Sequence, residues 1–281
     1  MSDTSFANRD QAAHWNDLAG RTWAELHEVI DRVLAPCVPL ITAELDPIEG
    51  GKVLDVGCGA GVLTTAAAKL AGPAGDAVGV DISAPLIEAA ASRAERDGVT
   101  NAAFLQADAQ SHLFDPQTFD AIVSRFGVMF FEDPVAAFRN LRTAARPGAK
   151  LACIAWRGPA ENDFMTAGRR AAEEFIPDFP APTPDGPGQF GFADGDRVRA
   201  ILDASGWQDV AIRATDVPCR FPQRDLVTYI TRMGPLGPVF HAMTDAEKAG
   251  ITPKIEAAFD SFVHGDEVRF TAACWTITAR A

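Results

Sequence analysis

Hydrophobic positions between residues 8 and 45 recur mostly every three to five places, at Trp15, Leu18, Trp23, Leu26, Ile30 and Val33, until Pro36 interrupts. That spacing puts the apolar side chains on one face of a helix, and it predicts an N-terminal helical arm over residues 1–50. From Lys52 the pattern changes to short apolar runs alternating with Ala-rich amphipathic segments. Strands are expected at 53–56, 77–81, 102–106, 121–124 and 150–156, with helices at 62–70, 85–96 and 134–145 between them. Such a βαβα series favours parallel strands joined by right-handed crossovers, with helices on both faces of a doubly wound sheet.

After Trp156 the rhythm breaks. A Pro- and Gly-rich passage over 176–188, read as a mobile loop, separates helices expected near 161–175 and 194–205. A strand near 208–216, helical material over about 225–263 and a last strand at 270–278 complete the chain. Residues 51–281 are therefore read as one core domain, with cap insertions at about 157–193 and 222–265.

Composition adds limits. A chain of 281 residues with 47% hydrophobic and 22% charged positions is that of an ordinary compact protein. The formal net charge of −13, with no run of Lys or Arg, argues against nucleic acid and anionic lipid as partners. Five scattered cysteines with no Cys-x-x-Cys pair suit reduced thiols, and the first residues lack the basic and apolar regions of a signal peptide. The expectation is a cytoplasmic protein with no membrane span, and homodimerisation is left open.

The candidate chemistry centres on VLDVGCGAG at 53–61, where an acid, Asp55, precedes Gly57, Gly59 and Gly61 in a strand-to-helix loop. Ligands of open α/β sheets sit beyond the carboxyl ends of the strands, and glycine lets backbone approach them; a plain tight turn is the structural alternative. The dinucleotide fingerprint needs its third glycine at position 62, which is Val62, so a nicotinamide site is disfavoured. Two further acids close predicted strands, Asp81 and Asp108. The paired oxygens of Asp81 suit vicinal ribose hydroxyls and Asp108 suits an adenine amine, although each alone reads equally as a turn or helix-cap residue.

These residues, with FDAIVSRFGVMFF from Phe119 and LRTAARPGA from Leu141, resemble the class I S-adenosylmethionine-dependent methyltransferases between Gly50 and Trp156. The resemblance is to their small-molecule branch, which includes ubiquinone and menaquinone biosynthesis methyltransferases. It implies a Rossmann-like seven-stranded sheet whose last two strands form an antiparallel hairpin at the edge. It also implies S-adenosyl-L-methionine as cofactor, with S-adenosyl-L-homocysteine as product. Gly57, Cys58, Gly59 and Gly61 would flank the methionine part and Asp55 would hold its ammonium through water. Asp81 with Ile82 would grip the ribose, Asp108 with Ala109 would meet the adenine, and Arg125 with Phe126 would lie beside the cofactor; an ion pair is the structural alternative for Arg125.

A ligand bearing an ammonium and a sulfonium is better received by carboxylates and aromatic faces than by a phosphate nest, and the glycine loop holds no basic residue. Methyl transfer is an in-line displacement with an excellent leaving group, so proximity and orientation can supply most of the acceleration. His14, His241 and Tyr229 are candidate bases, each as readily an ordinary helix or surface residue, and no catalytic residue is assigned. For the acceptor, Trp15, Trp23, Met129, Phe130, Trp156, Arg157, Phe164 and Met165 are the candidate lining, with Asn162 and Asp163 beside them; core packing is the alternative for each. SRFG at 124–127 stands where enzymes acting on base amines carry Asn or Asp followed by Pro-Pro and an aromatic, which leaves a small metabolite as substrate, methylated on oxygen, nitrogen or carbon. The other readings are an NAD(P)-dependent oxidoreductase on a similar sheet and a non-catalytic S-adenosylmethionine-binding protein.

Overall fold

The computed structural model describes residues 8–45, 47–179 and 186–281. The chain opens with four short helices, α1 (Arg9–Asn16), α2 (Leu18–Glu25), α3 (His27–Val33) and α4 (Cys37–Ala43). Alternating elements follow: β1 (Lys52–Val56), α5 (Val62–Ala71), β2 (Asp76–Asp81), α6 (Ala84–Arg96), β3 (Ala102–Gln106), β4 (Phe119–Arg125), α7 (Pro134–Ala144) and β5 (Ala145–Trp156). Then come α8 (Asp163–Phe175), α9 (Gly195–Ala204), β6 (Gln208–Pro222), α10 (Leu226–Arg232), α11 (Leu236–Ala242), α12 (Asp245–Ala257), β7 (Val263–His264) and β8 (Glu267–Arg280).

The sheet runs β3-β2-β1-β4-β5-β8-β6, with the two-residue β7 paired to β8 off this path. β1 is parallel to both β2 and β4, while β8 lies antiparallel between β5 and β6. This is the expected doubly wound sheet, and the antiparallel pair at its edge is longer than expected. β6 continues to Pro222 because Val217, Cys219 and Phe221 keep alternating inward, and its two prolines are tolerated on an edge strand.

Strand order reverses between β1 and β4, so the crevice above their carboxyl ends is the place where such a sheet takes ligands. Val53, Leu54, Asp55 and Val56 of β1 are all buried, which makes this strand the rigid floor of that crevice. Local signals set the helix starts. Ser83 caps α6 and Asp133 caps α7, each with proline in the first turn; Thr244 and Glu247 form a reciprocal capping box on α12.

The arm breaks at Asp17 and Leu26 as well as near Pro36. At the first break a Cβ on Gly20 would lie 1.8 Å from the Trp15 carbonyl oxygen, so only glycine lets α2 double back this closely. Asn16 then ties the arm to the loop after β2: its Nδ2 donates to the Ile82 carbonyl at 3.0 Å and its Oδ1 accepts from the Ala84 N–H at 2.9 Å. Of the Pro- and Gly-rich passage at 176–188, residues 180–185 lie outside the described residues. Among the described residues no helix is long and apolar enough to cross a membrane, and all five cysteines are buried and unpaired.

Candidate active site

Three glycines follow β1 in the left-handed region, at φ +64°, +54° and +78° for Gly57, Gly59 and Gly61. They do three different things. A Cβ on Gly57 would come within 2.6 Å of the Gly127 Cα, so this position lets the loops after β1 and β4 touch. A Cβ on Gly61 would meet the Phe104 ring at 2.8 Å and the Ala90 Cβ at 2.9 Å; contrary to expectation this glycine packs α5 into the fold and does not face the cavity. Only at Gly59 would a Cβ point into open space. The loop is pinned to β2 by the Gly57 and Cys58 N–H groups, which donate to the Val80 carbonyl at 2.8 and 3.1 Å.

Asp81 accepts from the Gly59 N–H at 2.8 Å and from the Ser83 N–H at 2.9 Å, one bond on each oxygen, leaving acceptor capacity toward the cavity. Burial raises its pKa against the pull of those backbone N–H groups. Asp55, one strand over, is 1% exposed; its Oδ2 accepts from the Thr64 hydroxyl at 2.6 Å and its Oδ1 has no partner. Burial pushes its pKa up to about 7, opposed by the Thr64 hydrogen bond and the Arg125 charge. Asp55 and Cys58 line a small cavity of about 70 Å³ beside the main one, bounded also by Trp23 and Arg125. Burial holds the Cys58 thiol protonated.

Asp108 departs from the role expected of it. Its carboxylate accepts from the Asn8 N–H (3.0 Å), the Asn8 side-chain amide (2.6 Å), the Gln110 N–H (2.9 Å) and the Ser111 hydroxyl (3.3 Å). An adenine amine would therefore have to displace Asn8, whose Oδ1 also accepts from the Glu132 N–H at 2.8 Å. Here Asp108 anchors the arm, and Ala109 beside it lines the cavity.

Arg125, read as a cofactor neighbour or alternatively as an ion-pair residue, is in an ion pair at the cavity wall. It lines the cavity, and its Nη2 donates to Asp31 Oδ1 at 2.8 Å; Asp31 also receives Arg93. The Nη1 of Arg125 is buried without a partner. Asp31 is absent from the sequence-based candidates, and the signal for it is an acid set among the buried Ile30, Val33 and Leu34. Phe126 adopts φ +64°, a strained conformation for a residue with a Cβ, with its ring stacked on Trp156 at 4.5 Å and 12°.

These groups open into one cavity of about 900 Å³ between the arm, the strand ends and α10–α12. Trp15, Met129, Phe130 and Trp156 line it as expected, together with Trp23 and Met165. The Trp15 ring meets Trp23 and Phe130 edge-on, each at 5.4 Å. His14, Tyr229 and His241 face the same space. Burial lowers the His14 pKa and raises that of Tyr229, whose hydroxyl has, among the described residues, only the Met165 sulfur, 3.9 Å away, as a partner.

Arg157 and Phe164 are corrections. The Arg157 guanidinium is held by Glu161 at 2.7 Å and Asp216 at 2.8 Å, away from the cavity. Phe164 is 2% exposed inside an aromatic cluster, stacked on Phe270 at 4.1 Å, because α8 turns that face toward β8. Asn162 is likewise structural, its amide bonded both ways to the Ala273 backbone, and Asp163 pairs with Arg170. Lining residues missed from the sequence include four charged ones on the arm and cap, Arg21, Glu25, Arg232 and Lys248.

Residues 48–175 match the family described as methyltransferase domain. An uncharacterized protein of Mycobacterium tuberculosis is 32% identical over 126 residues, 45% of this chain and 44% of that protein. A demethylmenaquinone methyltransferase of Bacillus subtilis is 30% identical over 119 residues, 42% of this chain and 51% of the relative. The chain thus spans about half the length of these curated relatives. In fold, a SAM-dependent methyltransferase from Aquifex aeolicus superposes with a TM-score of 0.53 at 17% identity, over 98% of this chain and 99% of the other.

Proposed function

We propose that this chain, a class I S-adenosylmethionine-dependent methyltransferase by fold whose residues 48–175 fall in the methyltransferase domain family, methylates a small apolar molecule held between its arm and its cap. One observation carries the reading: a single cavity of about 900 Å³ joins Gly59 and Asp81 to the aromatic wall of Trp15, Phe130 and Trp156.

The residues present fit the cofactor. Gly59 leaves open space where backbone must approach a ligand, and the buried Nη1 of Arg125 and Oδ1 of Asp55 are polar atoms awaiting partners. Asp81 would accept the ribose hydroxyls, with Ile82 and Ala109 against the nucleoside. Arg125 and Asp55 would meet the carboxylate and ammonium of the methionine part, the latter through water. Bound there, S-adenosylmethionine supplies an electrophilic methyl on a sulfonium.

The chain's own part is positional. The stacked Phe126 and Trp156 with Met129 fix an apolar floor, the arm and cap exclude water, and orientation at short range supplies the acceleration. Tyr229 keeps its proton and serves as a donor to the acceptor, not as a base. On this reading the arm (1–50) and the insertions at 157–193 and 222–265 are the substrate-enclosing parts of a core domain over 51–281. Residence in the cytoplasm is supported by five buried, unpaired thiols.

The test is calorimetry with S-adenosylhomocysteine, followed by mass spectrometry of candidate acceptors with a labelled methyl donor. Asp81→Ala should weaken S-adenosylhomocysteine binding on the order of 10- to 100-fold through lost charge-assisted hydrogen bonds. Unchanged affinity, or tighter binding of NADH than of S-adenosylhomocysteine by the native chain, defeats the reading.

A further inference from the structure

The chain carries a net charge of −13, yet the arm and cap present Arg21, Arg232 and Lys248 to its cavity. Taken one by one, the charges there do not cancel. At the inner end Asp31 is shared by Arg125 and Arg93, and Asp81 and Asp108 are hydrogen-bonded by neutral donors of the backbone and of Asn8. In the outer part Glu25 is bound to Arg232, an ion pair from arm to cap. Two cations are left over. Arg21, one turn before Glu25 on α2, has no hydrogen bond or ion pair from its side chain among the described residues. Lys248 on α12 has only Asp245, 4.0 Å away and fully exposed. At that distance in water a pair is weak.

Arg21 is exposed and Lys248 half-buried, so they mark the mouth of the chamber, one from the arm and one from the cap. The apolar side of the chamber is formed by Trp15, Phe130, Met129, Trp156, Met165 and Phe240. Polar side chains face it too, among them Gln11, His14, Gln189, His241 and Tyr229, whose hydroxyl has the Met165 sulfur 3.9 Å away. Uncompensated cations at the rim of an apolar chamber, on an otherwise acidic molecule, are a recognition feature and not a consequence of composition.

We infer that the acceptor is an apolar molecule with an anionic group, its body in the aromatic chamber and its charge at the mouth between Arg21 and Lys248. This rests on the methyltransferase reading of the same cavity. The apolar body gains from leaving water, and the anion remains partly solvated beside two cations without the cost of burying a charge. The field of the mouth also opposes the general repulsion of an anion by an acidic protein, so anions are selected over neutral analogues of the same shape. That selection weakens as salt screens the two exposed cations.

The test uses the full chain saturated with S-adenosylhomocysteine, and two matched pairs of probes: 2-naphthoate against 2-naphthamide, and decanoate against decanamide. Calorimetry at low ionic strength should show the acid of at least one pair binding about fivefold or more tighter than its amide, with the preference shrinking in high salt. The preference should vanish in the double variant Arg21→Gln with Lys248→Gln and survive in Arg21→Lys with Lys248→Arg, whose melting temperatures report whether each is folded. Amides binding as tightly as acids in both pairs, no binding of either acid, or an acid preference that persists in the glutamine variant overturns the inference. If S-adenosylhomocysteine binds and the acid preference is missing, only this inference falls; if S-adenosylhomocysteine itself does not bind, the reading of the cavity falls with it.

Discussion

At the scale of single residues, the loop after β1 separates what a glycine does for the fold from what it does for a ligand. Gly57 is required because Gly127 lies against it, so Gly57→Ala should destabilise the protein by a few kcal/mol, as overpacking of a rigid contact does. Gly59→Val faces open space; its cost to the fold is the left-handed backbone, on the order of 1–2 kcal/mol, but its side chain enters the volume proposed for the cofactor. Urea unfolding should thus rank Gly57→Ala as the less stable variant, while calorimetry ranks Gly59→Val as the poorer binder of S-adenosylhomocysteine. The reverse order would mean that the two positions have been confused.

Asp55 gives a pH dependence with a definite sign. Its folded pKa of about 7 stands above the ordinary carboxylate value, so between roughly pH 4 and 7 the folded chain retains a proton that the unfolded chain has lost. Stability from this group is therefore highest in acid and falls as pH rises through that window, by on the order of a few kcal/mol in total. Asp55→Asn removes the titration. Without ligand, the melting temperature of the variant minus that of the native chain should become more positive from pH 4 to 7.5, whatever the fixed cost of burying the new amide. A flat difference rules out this account of Asp55.

At the scale of elements, the arm is held by ion pairs of unequal worth. Asp31 of α3 reaches Arg93 and Arg125, whose side chains are 10% and 14% exposed, whereas Glu25 of α2 meets an Arg232 that is 41% exposed. Removing the acid from the buried cluster leaves two guanidinium groups without a counter-charge, and Asp31→Ala should cost about 3–5 kcal/mol. Glu25→Ala should cost under about 1 kcal/mol, because an exposed pair trades one set of solvated charges for another. Urea titrations of the two variants measure the contrast directly, and similar losses would contradict it.

The same elements show why legibility varies along the chain. The βαβ part, from β1 to β4, can be read closely because each strand is short and largely apolar, with glycine, proline or an acid nearby, so its limits are written locally; β5 instead begins at Ala145, ahead of the expected Lys150, and runs through Pro147 and Gly148. β6, expected near 208–216, runs on through Pro218 to Pro222, and its place at the sheet edge makes these prolines harmless. Of the cofactor candidates, Gly57, Gly59, Asp81, Ile82, Ala109, Arg125 and Phe126 line the main cavity. Gly61 and Asp108 depart from their expected roles, because their partners, Phe104 and Asn8, are brought in by tertiary packing that no local spacing records. Arg157 and Phe164 fail for a similar reason: adjacency to a strand end places a residue near the site, but which way it faces is decided by Asp216 on β6 and by the packing of α8 on β8.

At the scale of the whole molecule, the order of the strands makes the fold depend on its last segment. β8 is latest in sequence but lies inside the sheet, hydrogen-bonded to β5 along Lys150–Trp156 and to β6 along Gln208–Pro222. Its inward residues, among them Val268, Ala272, Cys274 and Ile277, are buried, and Phe270 carries the aromatic cluster that seats Phe164 and with it the cap. Without β8 the edge strand β6 has no neighbour and β5 exposes an apolar border, a condition that favours aggregation over a smaller stable core. The cap, resting on Phe270, would lose its footing together with the wall of the chamber. Removing residues 267–281 should consequently abolish the cooperative thermal transition and S-adenosylhomocysteine binding together, although every residue of the glycine loop and all three strand-tip acids are retained. Calorimetric scanning of the truncated chain decides the matter: a surviving sharp transition with cofactor affinity intact would show that the β1-to-β5 unit folds alone and that β8 is an accessory to it.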